Sequence, residues 1–230
     1  MATRKIYSPC CDRVGVIEQN IEFDWFPGFS VAQKQKSILS LHKQAKLNGI
    51  DPVLEISSKS LCDEGVRASA FNLSFEMKKS GTKVSVESAF QGSKMFQYSG
   101  PFPDLYDVPA RQAKKEIRIR QNGALKKFVF FGKEFPLVPI TFFYDWLYVK
   151  TLSLDEPLLE FIQDYKGFSD IEFNPSKSLN CQAYSAALAV SLFKNGLLED
   201  ALVDEFCFKE ILQDVYVEKD DKLRVQSSLI

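Results

Sequence analysis

The sequence is poor in the residues that build metal sites and catalytic triads. It has one histidine, His42, and five cysteines at positions 10, 11, 62, 181 and 207, with no CxxC pair among them. A zinc site therefore has too few ligands, and Ser-His-Asp or Cys-His chemistry is disfavoured. An odd number of cysteines, behind an N-terminus MATRKIYSPCCDRV that lacks an apolar leader, reads as reduced thiols in a cytoplasmic protein. No run of eighteen apolar residues exists, which excludes a membrane-spanning helix. Net charge is only −1, so wholesale coating of nucleic acid is not implied. Internal repeats and low-complexity blocks are also missing. Any chemistry must rest on carboxylates, lysines, amides and aromatic rings.

What is present is a chain of 230 residues, enough for one substantial domain or one domain with an extension. Hydrophobic residues make up 45% and charged residues 26%, the balance of a soluble globular protein. Twenty phenylalanines imply an aromatic-rich core or cleft. Charge is uneven along the chain. Residues 111–127, RQAKKEIRIRQNGALKK, carry seven Lys or Arg against one Glu, whereas 198–222 carry nine acidic residues against three Lys. The basic stretch reads either as a solvated helix face or as a phosphate-contacting patch.

Local patterns predict an α+β fold, mainly helical, with a few short strands near the N-terminus. Residues 14–26 are rich in β-branched and aromatic side chains and predict one or two strands ended by Pro27-Gly28. Ser30 is placed to cap a helix that runs to Leu47 and stops at Asn48-Gly49. Pro52–Ile56 predicts a short buried strand, and 57–75 a loop. VSVESAFQGSKMFQ, residues 84–97, predicts a helix capped by Ser85. Pro103 and Pro109, just after Pro101, make 102–109 a loop, and a basic helix is expected from Ala110 to Gln121. Residues 128–142 read as an irregular apolar connection. Buried or amphipathic helices are expected at 141–154, 156–166, 183–195 and 199–215.

Three constellations are candidates for function. The first lies in the helix expected over 84–97, where Glu87, Gln91 and Lys94 fall at i, i+4 and i+7, on one line. Spacing alone favours a solvent-facing stripe; the alternative is a helix that aims a carboxylate and an amine into a cleft. With Ser85 as cap, Glu87 lies in the first turn, where the helix dipole favours its ionised form. The second is SDIEFNPSKSLNCQAYSAAL, 169–188, where an Asp loop precedes Asn180 at the mouth of a helix. It reads as a capped helix with a surface loop or as an anion pocket. The third is FYDWLY, 143–148, whose Trp is either core or a stacking face.

Taken in order, SAFNLSF, SVESAFQGSKMF, FYDWLYVK and SDIEFNPSKSLNCQAYSAAL resemble the NADAR superfamily. The resemblance covers about residues 54–193 and is closest to the branch that accompanies DarT toxins as an antitoxin. WFPGFSVAQKQKSILSLH and EISSKS extend it toward the N-terminus.

The resemblance implies an N-glycosidase fold and an enzyme that strips ADP-ribose from guanine bases in DNA. On it, Glu87, Lys59, Asp170 and Trp146 fall on catalytic positions, and Ser69, Phe71, Gln91, Lys94 and Asn180 on pocket positions. Arg111, Lys114, Lys115 and Arg118 of the basic stretch would then contact nucleic acid. The attacking amine is expected to be Lys59, with Lys94 holding phosphate. The implied partners are ADP-ribosylated DNA, ADP-ribose as product and a separately encoded DarT-type toxin, with neither metal nor cofactor. Two alternatives stand beside it, a non-catalytic ADP-ribose-binding module and an N-glycosidase of riboflavin intermediates. Ala70 stands where many members have Asn, and EFNPSKS where the riboflavin-type branch tends to have Trp-Gly, which favours the DarT-linked reading. Residues 1–50 are expected to form an N-terminal extension, 51–216 the catalytic domain and 217–230 a flexible tail.

Overall fold

Strands β1 (Ala2–Pro9) and β2 (Val16–Phe23) form an antiparallel hairpin, paired from Ala2↔Phe23 to Pro9↔Val16, and at the end of β2 buried Ile21 and Phe23 alternate with exposed Asn20 and Glu22. The computed structural model describes residues 1–78, 80–174 and 178–219. Three residues of the EFNPSKS stretch, 175–177, and residues 220–230 of the tail expected at 217–230 lie outside the described residues.

Helix α1 (Val31–Leu47) begins where Ser30 Oγ accepts the Gln33 N–H, and it ends at Asn48 with Gly49 at a φ of +84°. Its apolar side, Ile38, Leu41 and Ala45, packs with Ile6, Ile21 and Phe23 of the hairpin. Strand β3 (Val53–Glu55) follows, then α2 (Asp63–Arg67), β4 (Ser74–Glu76) and β5 (Lys83–Ser85). The short α3 (Val86–Gly92) leads into β6 (Lys94–Phe96), and a 3-10 turn spans Pro103–Asp107. Next come α4 (Ala110–Lys115), α5 (Arg118–Gln121), β7 (Leu125–Phe130), β8 (Lys133–Phe135) and α6 (Phe142–Leu152). The chain continues with α7 (Glu156–Ile162), β9 (Gly167–Ser169), α8 (Gln182–Lys194), α9 (Leu198–Ala201) and α10 (Glu205–Ile211).

The largest sheet has the order β2-β1-β9-β3, and β4-β5 and β6-β7-β8 form two smaller ones. In the large sheet β9 runs antiparallel to β1 and parallel to β3, which sets Glu55 opposite Ser169. Gly167 is required there, because a Cβ would lie 2.7 Å from methyls of both Ile50 and Ile6. Helices α6 and α8 are buried nearly all round and form the main core with α3 and β7.

The fold is α+β, with 43% helix and 19% strand. Helix exceeds strand as expected, but the expectation of a few short strands near the N-terminus is corrected by strands as late as Gly167–Ser169. The apolar connection at 128–142 contains most of a hairpin, β7–β8, turned at Phe131 (φ +46°) and Gly132 (φ +81°). Positive φ at both turn residues matches strand twist, but Phe is an unusual residue to adopt it. The basic helix breaks in two at Glu116, whose backbone is extended at ψ 124°. The helix expected over 84–97 ends at Gly92. Ser93 turns its hydroxyl back onto the Ala89 carbonyl at 2.7 Å, and a Cβ at Gly92 would meet Tyr106 at 2.5 Å.

Candidate active site

Helix α3 is short, and its start is fixed from outside. Ser85 Oγ accepts the Ser88 N–H at 3.0 Å, and the Val86 and Glu87 N–H groups donate to the carbonyls of Leu73 and Ala70. These bonds tie the first turn to the SAFNL loop, whose Ser69 is fully buried. Ser69 Oγ donates to the Val66 carbonyl and accepts from Asn72 Nδ2.

Glu87 is only 6% exposed. Its Oε1 accepts Gln91 Nε2 at 2.8 Å, and Gln91 Oε1 in turn accepts Lys94 Nζ at 2.7 Å. The three residues therefore form a hydrogen-bonded line even though Lys94 lies on β6 and not on the helix. Burial pulls Lys94 down to about 8; Glu87 opposes this shift and Lys114 adds to it. The Lys94 ammonium also lies 4.7 Å from the Phe90 ring centre. From α4, Lys114 brings its Nζ to 3.9 Å from Glu87 Oε1 and 4.9 Å from the centre of the Phe71 ring. Carboxylate, amide, two amines and an aromatic face thus converge at the start of α3.

Asp170 forms a second pole, 8% exposed, just beyond β9. Its Oδ1 accepts the N–H groups of Glu172 and Phe173 at 3.0 and 3.1 Å, and its side chain is hydrogen-bonded to Gln182. Burial, reinforced by nearby Glu55, raises the Asp170 carboxyl to about 8. Gln182 Oε1 accepts the Ala70 N–H at 2.8 Å, while the Ala70 carbonyl holds the Glu87 N–H at 2.9 Å. One residue, Ala70, therefore joins the two poles.

The other expected residues are distributed more widely. Trp146 sits in the aromatic core, its ring centre 4.9 Å from Phe135, 6.0 Å from Phe130 and 6.4 Å from Phe143, and its buried indole N–H has no hydrogen-bond partner among the described residues. It stands behind Phe143 and Phe90, which stack at 6.1 Å beneath α3. Lys59 is half-buried on the loop after β3, its backbone N–H on Ser57 Oγ. Asn180 is half-buried one residue before the cap of α8, which is Cys181.

Within the basic stretch, Arg118 is committed to Asp104 and Glu116 at 2.6 and 3.1 Å, and Lys114 turns toward Glu87. Arg111 and Lys115 remain exposed along an open groove with Gln112, Glu116 and Ile117.

Residue patterns did not single out Glu55, Gln182 or His42. For Glu55 a signal was present: a carboxylate in the middle of an otherwise apolar strand, VLEI, which a buried strand does not tolerate without partners.

Among the described residues, no group of three or more His, Cys, Asp or Glu is arranged to hold a metal ion, and no helix is long and apolar enough to cross a membrane. Fold and site together define an α+β protein with a carboxylate–amide–amine line built on a short helix and a second buried carboxyl tied to it. The chain belongs to the DarT1-associated NADAR antitoxins, whose family pattern, NADAR-DarT1, matches residues 2–222. No curated protein matches it.

Proposed function

We propose that this antitoxin is an N-glycosidase that removes ADP-ribose from guanine bases in DNA, reversing the modification made by a DarT-type transferase. The observation that carries the reading is Glu87: a carboxylate almost wholly out of water, with two lysines brought to it, directly or through Gln91. Burying a charge is costly unless partners compensate, and a surface stripe would have no reason to incur that cost.

Breaking a glycosidic C–N bond moves the bonding pair onto the base and leaves positive charge on the ribose. A fixed carboxylate beside the anomeric carbon lowers the energy of that state, most effectively where water is excluded. The exocyclic amine of guanine leaves poorly unless it gains a proton. Asp170 suits this donation, because a carboxyl raised to about 8 still holds its proton at neutral pH.

Lysine supplies the nucleophile. The sequence pattern favours Lys59 for attack and Lys94 for phosphate; the environment supports the reverse. Lys94, lowered to about 8 and one amide away from Glu87, has a sizeable neutral fraction near neutral pH. Its lone pair attacks the anomeric carbon, the amine proton passes to solvent or a nearby base, and water then hydrolyses the resulting adduct to free ADP-ribose and amine. Lys59 is left to hold phosphate. Trp146 braces the aromatic layer under α3, and Arg111 and Lys115 are available to DNA phosphates.

Purified protein is expected to release free ADP-ribose from an oligonucleotide carrying ADP-ribosylated guanine. Tight binding of that oligonucleotide without release would replace the enzyme by a binding module. Turnover of a riboflavin-pathway pyrimidine intermediate, with none on DNA, would assign the pocket to that branch's chemistry.

A further inference from the structure

Behind Asp170 lies a buried hydrogen-bonded chain for which the mechanism above has no role. Glu55, 1% exposed at the end of β3, accepts Ser169 Oγ at 2.5 Å on Oε2 and the Ile171 N–H at 2.8 Å on Oε1. These two donors are the residues immediately before and after Asp170. Ser169 Oγ is also 2.8 Å from Nε2 of His42, the single histidine of the chain, on α1. A hydroxyl has one hydrogen, so when Ser169 donates it to an ionised Glu55 it must accept from His42, which fixes the imidazole as the Nε2–H tautomer. Burial lowers His42 to about 4, which keeps that ring neutral at physiological pH. The chain therefore runs from a half-buried imidazole on the N-terminal helix to a carboxyl clamped across the segment that presents Asp170.

We propose that Glu55 is a positioning residue for Asp170. It grips both neighbours of Asp170 through Ser169 and Ile171, with the Ser169 hydroxyl held from its other side by His42, and makes Asp170 the site's proton donor. The strand register supports this, since β3 and β9 pair Glu55 with Ser169 in parallel, a pairing that any shift of β9 would break.

Charge in the surroundings points the same way. Among the described residues, the titratable groups that couple to Asp170 are Tyr7 of β1, Glu55 of β3, Tyr144 and Tyr148 of α6, and Cys181 before α8; burial raises all of them, so the phenols and the thiol stay neutral. Glu172 bears on Glu55 and is paired with Lys34 at 3.2 Å. Among the described residues neither carboxyl has a cation paired with it, and two such buried groups cannot both ionise easily, so the pair retains one proton at neutral pH. The proton given to the departing base leaves the pair as two carboxylates, and solvent restores it after product release.

The consequence for turnover rests on the N-glycosidase reading; the effect on Asp170 does not. The experiment has two arms. In the first, the Asp170 carboxyl is titrated by 13C NMR in the wild type, in Glu55→Gln and, for assignment, in Asp170→Asn, with the lone His42 ring signal reporting an intact fold. Glu55→Gln is expected to lower the Asp170 titration midpoint by one pH unit or more. In the second, release of ADP-ribose from modified oligonucleotide is followed against pH. Here Glu55→Gln should reduce kcat at least tenfold with KM within about twofold, and the basic limb of the profile should move to lower pH. Should Glu55→Gln fail to fold, Ser169→Ala, which keeps the charge and removes one arm of the clamp, is expected to lower kcat severalfold and to change the His42 tautomer signal. An unchanged Asp170 midpoint overturns the proposal, as does a shifted midpoint with an unaltered kcat and pH profile. A wild type that releases nothing overturns the N-glycosidase reading instead, and the NMR arm then decides the Glu55–Asp170 relationship alone.

Discussion

Gln182 and Glu87, 95 residues apart in the chain, grip opposite sides of the same residue. Gln182 Oε1 takes the Ala70 N–H at 2.8 Å, and the Ala70 carbonyl takes the Glu87 N–H at 2.9 Å. Since Gln182 also bonds Asp170, the spacing between the two carboxyls depends on this one amide. Gln182→Leu, which leaves the buried Ala70 N–H without a partner, is expected to cost about 1–3 kcal/mol of stability. It should also lower kcat by more than tenfold, because the Asp170 loop loses its register with α3. Chemical denaturation and the release assay on the same preparation measure both. A variant with unchanged kcat would show that the link is purely structural.

Glu87→Gln keeps the shape of the side chain and can still accept from Gln91. Release of ADP-ribose is expected to fall by about 10²–10³-fold or more, the scale of losing one fixed electrostatic partner of a charged transition state. Stability should change little. Because Glu87 is what opposes the fall of the Lys94 ammonium, the same substitution should move Lys94 below 8. That shift, read by NMR of the lysine ε-carbon, separates loss of the carboxylate from misfolding. An undiminished release rate would remove Glu87 from the chemistry.

How much of this was legible beforehand differs from element to element. Helix α1 could be read from Ser30 to Gly49, because its caps, length and apolar periodicity are all local. Helix α6 was readable as buried because it is apolar on every face. Strand β9 was not, since three residues, GFS, become a strand only through β1 on one side and β3 on the other. The β7–β8 hairpin lacked an Asn-Gly or Asp-Gly turn to announce it. At the site, the i, i+4, i+7 line correctly associated Glu87, Gln91 and Lys94 for a partly different reason. The helix stops at Gly92, and Lys94 reaches back from a strand to make the same contact. Glu55 and His42 gain their significance from pairing across the sheet, which no local pattern carries.

Lys94 gives the pH dependence a definite sign. Its folded value of about 8 lies below the ordinary 10.5, so between those values the unfolded chain binds more protons than the folded one. Stability attributable to this group should therefore rise with pH from about 8 to 10.5 and be lost as pH falls through 8. Lys94→Met should remove that rise from the difference between the two stability curves. If the neutral amine attacks the sugar, activity should rise as pH approaches 8 and fall above it, where Asp170, also at about 8, loses its proton. Lys94→Arg, which cannot deprotonate, should be inactive while still able to hold phosphate. Borohydride should trap an adduct on the wild type and not on Lys94→Arg. Trapping at Lys59 instead would return the two lysines to the roles the sequence pattern favours.

Asp145 tests what holds the frame of the site. It is 1% exposed, with Ser185 Oγ on Oδ1 and Thr141 Oγ1 on Oδ2, both at 2.6 Å. Lys219 lies 3.5 Å from Oδ2, donates to Thr141 Oγ1 at 2.7 Å and sits 3.6 Å from the centre of the Tyr184 ring. The cluster joins the start of α6, the first turn of α8 and the helical residues 213–219, and it holds Thr141 at a φ of +70°. Removing one partner from such a buried ionic group strands the others, so Asp145→Ala is expected to cost about 3–5 kcal/mol. Lys219→Met should cost less, because Asp145 keeps both hydroxyl donors. The double variant Asp145→Ala/Lys219→Met should be more stable than the sum of the single effects implies, since neither charge is then left without its counterpart. Denaturant midpoints of the four proteins measure the coupling. Strict additivity would mean that the cluster stabilises the frame through its hydroxyl bonds alone, with the ammonium contributing nothing.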